Sequence, residues 1–302
     1  MTERPVIRRA TLEDTEACHS VMWASVTDFG ARNRTPLEGS ATDWWATSEP
    51  LHRFLAAHAA EWWVAEEPES RNLVGFARSI ERGGLIELTE FFVLPTNQSR
   101  GLGRALIERA FPVGHGDIRS IIATTDVRAL ARYYSAGTVA RFPILTMGGV
   151  PERAKAASDL TARRLDGGSA DDLQTLKDIE AKILEYGRGE AEIRWLLEDR
   201  EGYLYLRDGR PVGFAFVGKG GCGPIGALDT ADLPTILLHV EDRAVAVGLK
   251  LLEFQVPGPN EIATRHLLGR GYRIDPWVNL LMSNRPFGQF DRFLGFGPPV
   301  FL

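Results

Sequence analysis

Val93-Leu94-Pro95-Thr96-Asn97-Gln98-Ser99-Arg100-Gly101-Leu102-Gly103-Arg104-Ala105-Leu106 sets an apolar strand end, a short polar loop and a glycine-led helix in succession. Such a junction can bind an anion. The first amides of a helix have no partner inside it, and the helix dipole adds partial positive charge at the same end, so a phosphate is favoured there. Gly101 and Gly103 carry no Cβ and let a ligand approach the backbone. Arg100 and Arg104 can add charge at the rim. The expected ligand contacts therefore run from Gln98 and Ser99 through Arg100, Gly101, Leu102, Gly103 and Arg104 to Ala105.

Other chemistries have weaker footing. The two cysteines, Cys18 and Cys222, are far apart, which excludes a disulfide framework and suits a reducing cytoplasm. The six histidines show no spacing such as H-x-x-x-H, so no metal site is expected. Gly221-Cys222-Gly223-Pro224-Ile225-Gly226 matches G-x-G-x-x-G, but Pro224 lies inside it and no apolar-periodic helix follows before about Leu233. It reads as a turn between strands rather than a nucleotide loop. A net charge of −5 with scattered Lys and Arg argues against a nucleic acid or an anionic membrane as partner. The first residues lack the apolar core of a signal peptide, and no apolar run reaches the roughly 18 residues of a membrane span.

Two domains must position this loop. The chain has 302 residues, 44% hydrophobic and 25% charged, a globular balance with enough length for two cores. The expected division is a first domain over 1–150, a linker over 151–159 and a second domain over 160–302. In the first, a helical pattern covers Leu12 to Val26 and another Leu51 to Ala60. Strand-like runs lie at 62–66, 73–80 and 85–94, and a further strand, helix and strand follow the loop. The order then restarts after residue 160. Val74-Gly75-Phe76-Ala77 recurs as Val212-Gly213-Phe214-Ala215, and a helix ending at Gly137 recurs as one ending at Gly271, which points to an internal duplication. The tail from Phe287 is too apolar to hang free and is expected to pack on one domain.

Gln98-x-x-Gly101-x-Gly103, preceded by an apolar strand with V-x-P and followed by a helix and a strand–helix pair, resembles the signature of the GNAT superfamily of N-acetyltransferases. The likeness covers the first half in motif and strand order and the second in strand order only. It implies an α/β fold of two tandem GNAT-like domains, each a mixed, mostly antiparallel sheet flanked by helices. It further implies acetyl-CoA as cosubstrate, its pyrophosphate on the loop, with the backbone at Phe92, Val93 and Leu94 holding the pantetheine and polarising the thioester. Acetyl would pass to a primary amine, by analogy that of a small molecule.

The resemblance also nominates proton carriers. Glu87 lies eleven residues before Gln98, as the base does in the histone-acetylating branch. Glu90 is three positions on and, by simple alternation, on the opposite face; either could act through a water. Tyr133, four residues before Gly137, matches the family's general acid, although Thr138 replaces the usual aromatic after that glycine. Phe29, Trp44 and Trp45 are candidates to line the acceptor pocket, and Arg32 and Arg34 to read an acceptor carboxylate. The second half lacks the signature: aspartates stand at Asp229 and Asp232, and Leu267 stands at the tyrosine position. It is expected to be a silent repeat. The alternative for the chain is an acyl-CoA-binding or sensor protein without catalysis.

Overall fold

The computed structural model describes residues 4–98, 101–154 and 158–297. Two compact units emerge, one of residues up to 140 with 282–285, the other of 141–281 with the segment from 286. In the first, β1 (Val6–Arg9) leads to α1 (Thr15–Arg32) and α2 (Ala41–Ala57). Then come β2 (Glu61–Glu66), β3 (Leu73–Arg82), β4 (Leu85–Val93), α3 (Leu102–Ala110), β5 (Ile118–Ala123) and α4 (Val127–Ser135). Its strands stand in the order β1-β2-β3-β4-β5, antiparallel except for the parallel pair β4–β5.

The second unit holds β6 (Val139–Gly149, from Arg141), β7 (Thr161–Arg164), α5 (Ala170–Leu184), α6 (Glu190–Asp199) and β8 (Arg200–Arg207). It continues through β9 (Arg210–Gly218), β10 (Gly221–Ala227), α7 (Leu233–Ala246), β11 (Leu252–Pro257), α8 (Glu261–Gly269), β12 (Arg273–Ser283, to Leu281) and β13 (Phe293–Leu294). One sheet runs β13-β10-β9-β8-β7, and β6 lies between β12 and β11. The observed boundary falls ten residues before the division expected at residue 150. The cause is β6, whose main chain pairs with β11, Thr146 opposite Gln255 and Met147 opposite Phe254. Phe287, Phe290, Phe293 and Leu294 of the tail are buried.

Two elements differ from the sequence pattern. α2 begins at Ala41 rather than near Leu51, because Ser40 and Asp43 close a capping box: Ser40 Oγ accepts from the Asp43 amide at 3.2 Å, and Asp43 Oδ2 from the Ser40 amide at 3.1 Å. Gly221–Ala227 is strand β10 rather than a turn. Pro224 is tolerated there because the ladder with β9 shifts register between Cys222 and Ile225, where no amide is needed.

Within each unit the same devices recur. Gly75 on β3 and Gly213 on β9 each let a helix press onto the third strand. A Cβ on Gly75 would meet the Phe92 carbonyl at 3.0 Å and Leu106 of α3 at 3.2 Å; on Gly213, the Gly226 carbonyl at 2.8 Å and Ile236 of α7 at 3.0 Å. α4 and α8 end alike, with Gly137 at φ +83° and Gly271 at φ +89°, Thr138 donating to the Tyr133 carbonyl and Tyr272 to that of Leu267. Arg8 clamps Asp14 as Arg163 clamps Asp172. Among the described residues no helix is long and apolar enough to cross a membrane.

Candidate functional site

The site begins where β4 and β5 part. Their parallel register runs from Leu85 opposite Ile118 to Leu88 opposite Ile121, while β4 continues to Val93 paired with β3 alone. The Leu94 amide donates to the Val74 carbonyl at 2.9 Å. By the alternation of an antiparallel ladder, Leu94 and Phe92 therefore turn their main-chain groups to β3, and Phe91 and Val93 turn theirs to the open side. Of the expected run Phe92, Val93, Leu94, only Val93 faces the opening, and Phe91 joins it. Gln98 braces this edge, its Nε2 donating to the Val93 carbonyl at 3.0 Å.

The opening leads to the start of α3. Gly101 is its N-cap at φ +81°, a conformation that favours glycine, and none of the described residues lies within 4 Å of where its Cβ would stand. Gly103 is small for another reason. Its Cβ position lies 3.0 Å from the Phe91 ring, so the missing side chain lets the helix seat on β4. The Ala105 amide already donates to the Gly101 carbonyl at 3.2 Å, which leaves the amides of Leu102, Gly103 and Arg104 as ligand donors. Arg104 turns along the helix to Glu108 at 2.7 Å. Ser99 and Arg100 lie outside the described residues.

The β3–β4 ladder shifts register between Arg78 opposite Glu90 and Ser79 opposite Leu88, which inserts Thr89 as a bulge. Glu87 is opposite Ile80 and Glu90 opposite Arg78. Arg78 and Ile80 are two apart on β3 and share a face, so Glu87 and Glu90 share it too. The opposite placement expected from simple alternation is corrected by one extra residue. Both carboxylates are buried in ion pairs. Arg82 Nη1 reaches Glu87 at 2.6 Å. Arg78 Nε donates to Glu90 Oε2 at 2.7 Å, and the guanidinium lies 4.9 Å from the Trp62 ring.

The other Glu90 oxygen, Oε1, faces His52 Nδ1 of α2 at 3.2 Å. The distance fits an ion pair, but the alignment falls short of a well-formed hydrogen bond, and Oε1 has no other. Burial raises the Glu90 carboxyl, yet Arg78 and His52 outweigh it and hold it down at about 2. Behind His52 stands His19 of α1, ring centroids 5.3 Å apart, with Trp45 stacked on His52 and tilted against His19. Burial, then His52, lowers the His19 imidazole.

Tyr133 lies on the other face of β4, 6.0 Å edge-on from Phe91. Burial pushes its phenol up, and the charge of Asp126 adds to this, so it stays protonated. Tyr134 is 52% exposed. Among the aromatic candidates, Trp45 joins the His52–Glu90 group. Trp44 packs edge-on against Trp23, and Phe29 is buried in α1 beneath Arg32. Arg32 is engaged by Asp28 at 2.9 Å and Asp126 at 2.7 Å, which uses the charge suggested for an acceptor carboxylate. Sequence reasoning missed His19 and His52. The available signal was a titratable side chain on the buried stripe of a helix, two turns after Trp45.

The second unit differs at each position. Asp232 caps α7 where Gly101 caps α3 and is held by Arg207 at 2.6 Å, and Asp229 accepts from the Ala231 amide at 2.9 Å. Leu267 occupies the place of Tyr133. Among the described residues no group of three or more His, Cys, Asp or Glu is arranged to hold a metal ion.

Residues 58–137, from the end of α2 through the cap of α4, match the family model described as an acetyltransferase (GNAT) domain. No curated protein matches the chain in sequence. Among solved structures it is similar to a protein of Pyrococcus horikoshii described as a candidate acetyltransferase, at 16% identity and TM-score 0.73 over 97% of this chain and 94% of that one. A GCN5-related N-acetyltransferase from Sphaerobacter thermophilus gives 14% and 0.62, covering 95% and 98%. A tandem GNAT protein from the clavulanic acid biosynthesis pathway gives 15% and 0.53, covering 93% and 99%. At these identities the likeness speaks for the fold, in tandem form. The acetyltransferase (GNAT) match thus stands for residues 58–137, and for the rest of the chain the likeness is one of fold.

Proposed function

We propose that the first unit transfers an acetyl group from acetyl-CoA to a primary amine of a small molecule, by direct attack on the thioester. One observation carries the reading: the parting of β4 and β5 after Leu88 opens an edge, with Phe91 and Val93 turned into it, that runs to the glycine cap of α3. Pyrophosphate would rest on the amides of Leu102, Gly103 and Arg104, and the Val93 amide would meet the thioester oxygen as it gains charge. Tyr133, on the far face, would protonate the departing thiolate. Incubation with acetyl-CoA and tyramine, spermidine, glucosamine or a glycyl peptide, reading free thiol, tests this. Release that depends on one amine supports it; none with any amine returns the chain to an acyl-CoA-binding sensor. The sensor reading draws on the ion pairs that hold both Glu87 and Glu90.

Two further outcomes are expected. Tyr133→Phe lowers turnover by about 10²-fold, the lower end for a lost general acid, with acetyl-CoA affinity unchanged. Tyr134→Phe, on the exposed side, leaves both intact, and a wild-type rate for Tyr133→Phe would remove the phenol from the mechanism. Calorimetry finds one acetyl-CoA per chain, because Asp229 and Asp232 place carboxylates where the second unit would need free amides. Two per chain would refute a silent second unit.

A further inference from the structure

An acceptor that arrives as an ammonium must lose a proton before it can attack. Neither glutamate is suited to take it. Glu87 and Glu90 are both buried against guanidinium groups, and a carboxylate stabilised by an ion pair is a weak base. We propose that His52 takes this proton at Nε2 and that Glu90 is the positioning residue that orients it; the inference rests on the first unit being an amine acetyltransferase.

Three observations carry it. The first is orientation. Arg78 occupies Glu90 Oε2, so Oε1 is the oxygen left for the imidazole, 3.2 Å from Nδ1. A carboxylate there favours the tautomer with its proton on Nδ1 and the lone pair on Nε2. The second is place. Glu90 follows the last β4–β5 pair by two residues, so the imidazole it holds belongs to the α2 layer over the parting strands, on the face of β4 opposite Tyr133. Proton acceptor and proton donor thus flank the edge where the thioester would lie.

The third observation is the second unit. It builds the same bulged strand pair without charge. Counting from the matched glycines, Gly75 and Gly213, the place of Arg78 is taken by Phe216 and that of Glu90 by Pro224. The fold does not require a buried ion pair at this bulge, and such a pair is a poor source of stability in itself. Its presence in the first unit calls for another use. His19 extends the same argument: its Nε2 is buried with no hydrogen-bond partner, beside the imidazole it would relieve of a proton. The charged and titratable groups that meet His52 are Glu90 on β4, His19 on α1 and Arg78 on β3, which donates to the His52 carbonyl, while Cys18 on α1 lies in the field of the same Arg78 and Glu90. Burial keeps the Cys18 thiol protonated.

The proton count closes. The acceptor ammonium gives one proton to His52 Nε2, and the freed nitrogen lone pair forms a bond to the thioester carbon while the carbonyl pair moves to oxygen. Collapse of that oxyanion breaks the C–S bond, and sulfur leaves with its electron pair. The second proton leaves nitrogen as the amide forms. One of the two ends on the CoA thiol, and the other reaches solvent from His52.

The test is His52→Gln, assayed for thiol release with acetyl-CoA and the most active of tyramine, spermidine, glucosamine and a glycyl peptide. Acetyl-CoA affinity, measured by calorimetry, is the control for folding. The expected result is a loss of kcat of about 10²-fold or more at unchanged acetyl-CoA affinity, with the acidic limb of the wild-type kcat/KM profile abolished. A variant that binds acetyl-CoA and keeps the wild-type rate and profile overturns the role of His52. An inactive wild type removes the transferase reading, and this one with it. Should Gln at this position also lower cofactor affinity, His52→Ala decides: turnover restored by added imidazole supports the base, and no restoration in protein that binds acetyl-CoA overturns it.

Discussion

Gly101→Glu is expected to weaken acetyl-CoA binding by two orders of magnitude or more, measured as Kd by calorimetry. Two effects act in the same direction. At φ +81° a residue with a Cβ is strained by about 1–2 kcal/mol. The new carboxylate sits at the positive end of α3, where it can accept from the same amides that would serve a phosphate. Charge-assisted hydrogen bonds contribute about 1.5–3 kcal/mol each, so displacing two of them exceeds a hundredfold in affinity. Gly101→Ala separates the effects. It carries the backbone strain, but its methyl meets none of the described residues within 4 Å, so its affinity should fall by less than tenfold. An undiminished affinity for Gly101→Glu would mean that the pyrophosphate lies elsewhere. The second unit already carries an acid at this cap, Asp232, which is why a single cofactor per chain is expected.

The parts of the molecule legible in sequence were those governed by local rules. Gly101 at the start of α3, the apolar β4 before it and the Val-Gly-Phe-Ala echo follow from turn chemistry, periodicity and repetition, and the structure gives each a geometric reason. Gly75 and Gly213 are small because a helix presses on them. What escaped depended on register and on distant pairing. One bulged residue, Thr89, moves Glu90 to the face of Glu87, and no sequence periodicity announces it. The same register decides that Val93, rather than Phe92 or Leu94, turns its main chain to the opening. The β6 strand is placed by its partner β11, about a hundred residues later in the chain. The meeting of His52 with Glu90 requires α2 to lie over β4, which follows from the packing of two helices on a sheet and not from either segment alone.

The buried charges of that cluster make the largest stability prediction. Arg78→Met should destabilise the protein by about 3–5 kcal/mol, because it leaves Glu90 as an uncompensated buried carboxylate. For a unit of this size that corresponds to a fall in Tm of roughly 10 °C. Arg78→Met with Glu90→Leu should recover most of the loss, since a buried pair replaced by apolar groups of similar volume is often neutral. The second unit, with Phe216 and Pro224 at these places, is the natural precedent. Acid should separate the variants further. Glu90 is held down at about 2 in the folded protein, against an ordinary 4.5, so its contribution is full above 4.5 and is lost as pH falls from there through about 2. The double variant, lacking that group, should show a flatter stability profile across the same window. A single variant as stable as the wild type would mean that the pair is not buried in solution. If the double variant melts with the wild type yet turns over about 10²-fold more slowly at unchanged acetyl-CoA affinity, then the charges are kept at this bulge to orient His52, because the fold has done without them once already in the same chain.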